Sequence, residues 1–146
     1  MSTTVVFYFL KQSDNDGKLR LACNLANTAF NRGHKVYLNA SSSEMCNVLD
    51  NLLWTFAPNS FVPHIIYDQN KEVDLERYPV VIGHSQPSDQ FNDVLISLHQ
   101  DAIEYAKQFQ RVIEPVGSTD EDVAIAQKKI SHYTALLGTE PTKHYL

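Results

Sequence analysis

Histidine and cysteine are the side chains that most often supply catalytic or metal chemistry, and here they are scattered. The chain has six histidines and two cysteines. No HxxxH, HxH or HExxH pair occurs on one predicted element, so zinc would need ligands from distant segments. Cys46 lies near the start of a predicted helix, where a thiolate gains stability, but no base is adjacent in sequence. We therefore predict structural roles for these residues, with no catalytic centre, metal or cofactor.

The glycines are not arranged to bind phosphate. All five are isolated, at positions 17, 33, 83, 117 and 138. No GxGxxG follows the first predicted strand, and neither a GxxxxGK[ST] loop nor a GxSxG elbow is present. Because glycine lets backbone amides approach a phosphate closely, this pattern weighs against a dinucleotide site.

One aromatic segment is suited to recognition of a partner. The only tryptophan, Trp54, stands in Leu53–Phe56, and Phe61 opens the block Phe61–His64 a few residues later. We expect Phe56 to fill the core. For Trp54 and Phe61 a core role and a place in a binding pocket are equally open, since aromatics after a helix often line a pocket for a partner's anchor.

The composition is that of one soluble domain. The chain has 146 residues, of which 43% are hydrophobic and 20% charged, and its formal net charge is −5. This acidity disfavours a sequence-independent nucleic-acid binder, which usually has a basic face. The apolar run Val5–Leu10 is far shorter than the ~20 residues of a membrane span, and no signal peptide is recognisable. We expect a reduced, cytoplasmic protein.

Short apolar runs alternate with amphipathic segments along the chain. The predicted strands are Thr3–Leu10, Lys35–Leu38, Ile65–Tyr67, Pro79–Ile82, Val94–Leu98 and, as the last, Arg111–Glu114. The predicted helices are Leu19–Phe30, a second running from an N-cap at Ser41 with its capping partner Glu44 to Phe56, Asp101–Phe109 and Thr119–Leu137. This alternation predicts a single α/β domain over residues 1–146, a three-layer α/β/α fold with a mostly parallel, doubly wound sheet.

Four blocks of this sequence resemble the chi subunit of bacterial DNA polymerase III. They are Phe7–Leu10, Leu53-Trp54, Phe61–His64 and Asp93–Leu98, and the likeness in length and element order covers nearly the whole chain. The resemblance implies a Rossmann-like fold without nucleotide binding and an accessory, non-catalytic role in the clamp-loader assembly. It also implies two partners: the psi subunit, and the acidic C-terminal tail of single-stranded-DNA-binding protein, which ends in Pro-Phe. DNA would then be contacted only indirectly.

The resemblance also implies a slot for the terminal phenylalanine of that tail. By position the slot would use Trp54, Phe61 and Val116. By position, the arginine of the family's last helix falls on Gln127, its tyrosine on Ile130 and an earlier lysine on Val123. A one-residue shift in the alignment would instead put Lys128 at the arginine position. The charge for the tail would then come from Lys128, Lys129 or His132, although Lys128 and Lys129 are equally well explained as a solvated helix face.

Two other functions remain open from the residues alone. A small nucleotide-binding or enzymatic domain would use the crevice at the carboxyl ends of the strands, near Lys11–Asp16, Ala40–Ser43 and Gly83–Ser85. Stabilisation by nucleotides would distinguish it from an adaptor. Direct DNA binding is the third possibility, disfavoured by net charge. The sequence assigns no residues to a psi-binding surface and no role to Glu140–Leu146.

Overall fold

The computed structural model describes residues 3–12, 17–55, 62–67 and 72–146. Within these ranges seven strands form one sheet in the order β3-β4-β2-β5-β6-β1-β7, and every adjacent pair is parallel. The strands are β1 Thr4–Phe9, β2 Val36–Asn39, β3 His64–Ile66, β4 Val80–Gly83, β5 Val94–Ser97, β6 Arg111–Val116 and β7 Thr142–Tyr145. The helices are α1 Gly17–Asn31, α2 Ser43–Thr55 and α3 Asp120–Leu137, and a short 3-10 helix spans Glu104–Gln108. The predicted three-layer α/β class is confirmed.

Each face of the sheet has its own apolar core. Helices α1 and α2 cover one face, packing Ala26, Leu49 and Leu53 against strand residues such as Leu38 and Ile96. Helix α3 and the 3-10 helix cover the other face, where Ala106, Ala126, Ile130 and Tyr133 pack against residues such as Phe7 and Leu95. Strand residues alternate between the two cores, as the twofold period of a strand requires.

The direction of each crossover explains this division. Helices α1 and α2 lead from β1 to β2 and from β2 to β3, both toward the β3 edge of the sheet. The 3-10 helix and α3 lead from β5 to β6 and from β6 to β7, both toward the β7 edge. Parallel crossovers are almost always right-handed, so connections running in opposite directions place their helices on opposite faces.

The segment predicted as a helix over Asp101–Phe109 forms only the 3-10 helix. Its buried residues are Ile103, Ala106 and Phe109, and they recur at every third position. That spacing fits the three residues per turn of a 3-10 helix better than the 3.6 of an α-helix. Tyr105 also departs from helical geometry, with φ −88° and ψ 22°.

Two further predictions about the elements are wrong. The N-cap of α2 is Ser42, whose Oγ accepts from the Met45 N–H at 3.2 Å, so the proposed box of Ser41 and Glu44 does not form. Strand β6 is not the last strand, because β7 pairs parallel with β1. The side chains of β7 are exposed, so the sequence shows no hydrophobic period there. Stacking of His144 on Tyr8 and of Tyr145 on Phe9 accompanies the pairing.

The start and end of α3 follow their sequence signals. Thr119 is the N-cap, and its Oγ1 accepts from the Asp122 N–H at 3.1 Å while the Asp122 carboxylate accepts from the Thr119 N–H at 3.3 Å. Three acids in the first turn favour the positive end of the helix dipole. Gly138 ends the helix with a φ of 74°, a left-handed conformation that favours glycine.

Candidate functional site

A groove lies where α3 passes the carboxyl ends of β5 and β6. It consists of two adjoining cavities of about 200 Å³ and about 490 Å³, which share Gln100, Ile125 and Lys129 as lining residues. Val116 lines the smaller cavity and Lys128 and His132 the larger. We call this feature the α3 groove. It brings together Val116, Lys128 and Lys129 from the residues predicted for the tail slot.

Lys129 is buried and already paired. Its ammonium donates to Glu114 Oε1 at 2.8 Å, and the two side chains are only 5% and 1% exposed. It also donates to the His99 carbonyl, and Tyr133 Oη donates to Glu114 Oε2 at 2.6 Å. Burial raises the pKa of Glu114, while the charge of Lys129 and the donors Lys129 and Tyr133 oppose that rise. Lys129 therefore supplies structure beneath the groove, not a free charge in it.

The polar network around Glu114 continues to the centre of the sheet. Tyr133 Oη accepts from the Ile103 N–H at 2.9 Å, and so joins α3 to the segment before the 3-10 helix. The His99 ring lies with Nε2 3.1 Å from Asn39 Oδ1, and Asn39 donates to Tyr105 Oη. Burial, and then the charge of Lys129, lower the pKa of His99, which favours the neutral ring. These bonds satisfy polar groups that would be costly to bury alone.

Sequence reasoning missed Glu114 and Tyr133 as a polar pair. A signal was present, since Glu114 interrupts the apolar residues from Val112 to Val116, and Lys129 and Tyr133 lie four residues apart on one helix face. An acid within a buried strand requires a donor or cation, and this helix face provides both.

The exposed residues of the groove carry both signs of charge. Lys128 and His132 are exposed on α3, as is Gln127. Lys18 lines the smaller cavity and is half-buried. Burial and then the charge of Lys129 lower the pKa of Lys18, while the charges of Glu114 and Asp122 raise it. Acids line the same cavities: Glu121, Asp122, Asp101 and Glu104.

Ile130 is 6% exposed and belongs to the core beneath α3, so it contributes no surface.

Trp54 lies elsewhere. It is 60% exposed at the end of α2, and its ring centroid is 5.2 Å from that of His64, the first residue of β3. Helix α2 covers the face of the sheet opposite α3, and β3 stands four strand positions from β6, about 19 Å at ~4.8 Å per position. The structure thus does not bring Trp54 to the α3 groove. Phe61, predicted as its companion, lies outside the described residues.

Trp54 belongs to a second exposed apolar area. Ile66 is 37% exposed, and its register with Ile82 puts it on the α2 side of the sheet, like Trp54. We call Trp54 and Ile66 the Trp54 surface. Strand β3 pairs with β4 and is the edge strand of the described sheet. Exposed apolar side chains that lie close together are typical of a protein-binding surface.

The crevice suggested for a nucleotide is filled near Gly83. A Cβ atom at Gly83 would lie 2.0 Å from Tyr37 Oη, which donates to the Ser85 carbonyl at 2.7 Å. The glycine therefore makes room for the Tyr37 ring. Residues 13–16, another part of that predicted crevice, lie outside the described residues.

Neither cysteine thiol is exposed. Both are buried, and burial raises the pKa of Cys23 to about 12 and also raises that of Cys46. Within the described ranges no three His, Cys, Asp or Glu side chains gather as metal ligands. No helix in those ranges has the length and apolar character to cross a membrane.

Known proteins similar to this chain point to one family. The family model described as DNA polymerase III chi subunit, HolC, matches residues 1–140. The chi subunit of Pseudomonas aeruginosa is 33% identical over 114 residues, which cover 78% of this chain and 77% of that protein. That of Haemophilus influenzae is 31% identical over 123 residues, 82% of each chain. That of Escherichia coli is 27% identical over 135 residues, 87% of this chain and 88% of the relative.

Proposed function

Since the chain belongs to the chi-subunit family of DNA polymerase III, we propose that it is a non-catalytic adaptor of that replicative polymerase. In this proposal the psi subunit holds it at the clamp loader, and it binds the acidic C-terminal tail of single-stranded-DNA-binding protein. It acts in the bacterial cytoplasm at the nucleoid-associated replisome and needs no cofactor. The observation that carries the proposal is the presence of two separate surfaces, the α3 groove and the Trp54 surface, on opposite faces of one sheet. An adaptor must hold two partners at once.

The α3 groove suits the tail of single-stranded-DNA-binding protein. Val116 and Ile125 offer apolar lining for a terminal phenylalanine, and Lys128 offers an exposed ammonium for its carboxylate. Gln127 adds a neutral hydrogen-bonding group on the same helix. The acids Glu121 and Asp122 repel the acidic residues of the tail, so we expect modest affinity. Because charges of both signs line the groove, we also expect a shallow dependence on salt.

The Trp54 surface suits the psi subunit. It is apolar and lies on the opposite face of the sheet from the α3 groove, so one partner does not hinder the other. An exposed tryptophan is a frequent anchor of protein interfaces, and its truncation costs about 1–3 kcal/mol of binding energy or more.

Two matched variants test this division. The full chain is titrated with a labelled acidic peptide ending in Pro-Phe, followed by anisotropy, and separately with psi, followed by calorimetry. We expect Lys128→Glu to weaken binding of the peptide at least about fivefold and to leave the affinity for psi unchanged. We expect Trp54→Ala to weaken binding of psi and to leave the affinity for the peptide unchanged. The same peptide without its phenylalanine is the ligand control.

The opposite pattern would overturn the division. Loss of peptide binding in Trp54→Ala, with circular dichroism unchanged, would support the single slot expected from the family resemblance. If the chain bound neither psi nor the peptide, the adaptor role itself would be refuted.

A nucleotide-binding or enzymatic domain is the alternative, and the structure gives it less support. The Tyr37 ring fills the space beside Gly83 in the crevice that a nucleotide would use. We expect no rise in melting temperature with millimolar nucleoside mono-, di- or triphosphates. A rise of several degrees with one of them would favour this alternative instead.

A further inference from the structure

A small basic cavity lies on the α1 face of the sheet, away from both surfaces just described. Its volume is about 70 Å³, and it is lined by Arg32, Arg111 and His34 above an apolar floor that includes Leu25 and Ile113. No acid is among its described lining residues, although the chain has a net charge of −5. Positive charge is therefore concentrated here against the overall trend of the molecule.

Both guanidinium groups are available to a ligand. Arg32 directly follows α1 and Arg111 is the first residue of β6, and both are exposed. Among the described residues neither arginine has a carboxylate within 4 Å. The acid Asp93 is already engaged, since His34 Nδ1 lies 3.0 Å from its Oδ1 and the Lys35 N–H donates to its Oδ2 at 3.0 Å.

An aromatic pair adjoins the two arginines. Tyr8 lines the cavity, and its ring stacks on that of His144 with centroids 5.2 Å apart and planes 11° apart. The register of β1 with β7 puts these residues side by side, and Tyr8 is half-buried while His144 is exposed. The stack gives a rigid ring surface against which another planar ring can pack.

We propose that single-stranded nucleic acid binds directly at this cavity, with one backbone phosphate at the two arginines and the adjoining base outside the cavity. Arg32 and Arg111 contact the phosphodiester, and a base packs on the exposed ring of His144, which the Tyr8 ring supports. Free guanidinium groups beside an aromatic surface are the combination with which proteins hold single strands without reading sequence. An acidic peptide would use the cations equally well, so the Pro-Phe peptide is the competing ligand in the test below. The proposal adds a weak direct contact with DNA to the indirect one through single-stranded-DNA-binding protein, and does not depend on it.

The test is the salt dependence of oligonucleotide binding by the full chain. A labelled dT oligomer is titrated at several salt concentrations between 20 and 150 mM and followed by anisotropy. Each phosphate contact contributes about −0.7 to the slope of log K against log salt. Two contacts predict a slope of about −1.4, and Arg32→Ala or Arg111→Ala should reduce it to about −0.7. Arg77→Ala, which removes an arginine packed on Tyr78, should leave it unchanged.

The contribution of the ring is tested separately. Tyr8→Leu should weaken the dT oligomer at least about fivefold, whereas Tyr8→Phe, which keeps the ring, should not. An oligomer of abasic residues has no base to pack on the rings, so it should bind the native chain and the Tyr8→Leu variant with equal affinity. Absence of binding at 20 mM salt would overturn the proposal. So would unchanged slopes in both arginine variants, or an effect of those variants on the Pro-Phe peptide and not on the oligomer.

Discussion

Replacing Lys129 by methionine isolates the energetic role of the buried ion pair. The substitution removes the ammonium 2.8 Å from Glu114 Oε1 and leaves a carboxyl group that is 1% exposed. Loss of one partner of a buried pair costs about 3–5 kcal/mol when the remaining charge is kept. Glu114 can avoid part of this cost by taking up a proton.

The cost of that proton sets the expected magnitude. Each pH unit above the ordinary pKa of 4.5 contributes about 1.4 kcal/mol, so neutral Glu114 at pH 7 costs about 3.4 kcal/mol. We therefore expect Lys129→Met to lower the free energy of unfolding by about 3 kcal/mol at pH 7. The folded variant holds a proton that the unfolded chain releases above pH 4.5, so its stability falls as pH rises. Between pH 5.5 and 7 the loss should grow by about 2 kcal/mol.

The assay is urea unfolding followed by circular dichroism at pH 5.5, 6.2 and 7. Lys128→Met is the matched control, since Lys128 is exposed, and it should change stability by less than about 0.5 kcal/mol. Adding Glu114→Gln to Lys129→Met should restore much of the stability and remove the added pH dependence, because position 114 then carries no carboxyl group. A loss below about 1 kcal/mol in Lys129→Met, equal at all three pH values, would refute the reasoning.

Three further predictions concern packing, thiol chemistry and charge. Gly83→Ala places a Cβ 2.0 Å from Tyr37 Oη, so we expect the free energy of unfolding to fall by about 1–3 kcal/mol. A melting temperature equal to that of the wild type would contradict the close packing. Because burial raises the pKa of Cys23 to about 12 and also that of Cys46, neither thiol should react with a disulfide reagent at pH 8 until the chain is unfolded in urea. Rapid labelling of the native protein would show that a thiol is accessible. Glu121→Gln removes a negative charge from the α3 groove, so the Pro-Phe peptide should bind about two- to threefold more tightly, as measured by anisotropy. Equal or weaker binding would place the tail elsewhere.

The sequence predicted the elements well where their patterns are strong. The apolar runs that became β1, β5 and β6 are buried, as continuous hydrophobicity indicates for central parallel strands. The end of α3 was also predictable, because Gly138 adopts the left-handed conformation that commonly follows a helix. Family membership was visible in the same segments, since they determine both the core and the likeness to relatives.

Weaker or degenerate patterns misled. Ser41, Ser42 and Ser43 are all good N-caps, and only the observed helix start selects Ser42. Strand β7 has no hydrophobic period, because its side chains are exposed and pairing with β1 holds it. The partners of Glu114 were hidden for another reason: Lys129 lies 15 residues away, and a distance in sequence does not show which helix face meets which strand.

The sequence by itself determined the fold class and the family. It could not decide whether Trp54 and Lys128 share a site, and only the tertiary structure separates them. The reason is the order of the strands, which depends on long-range pairing between segments far apart in the chain. Because α2 leads toward one edge of the sheet and α3 toward the other, right-handed crossovers place them on opposite faces.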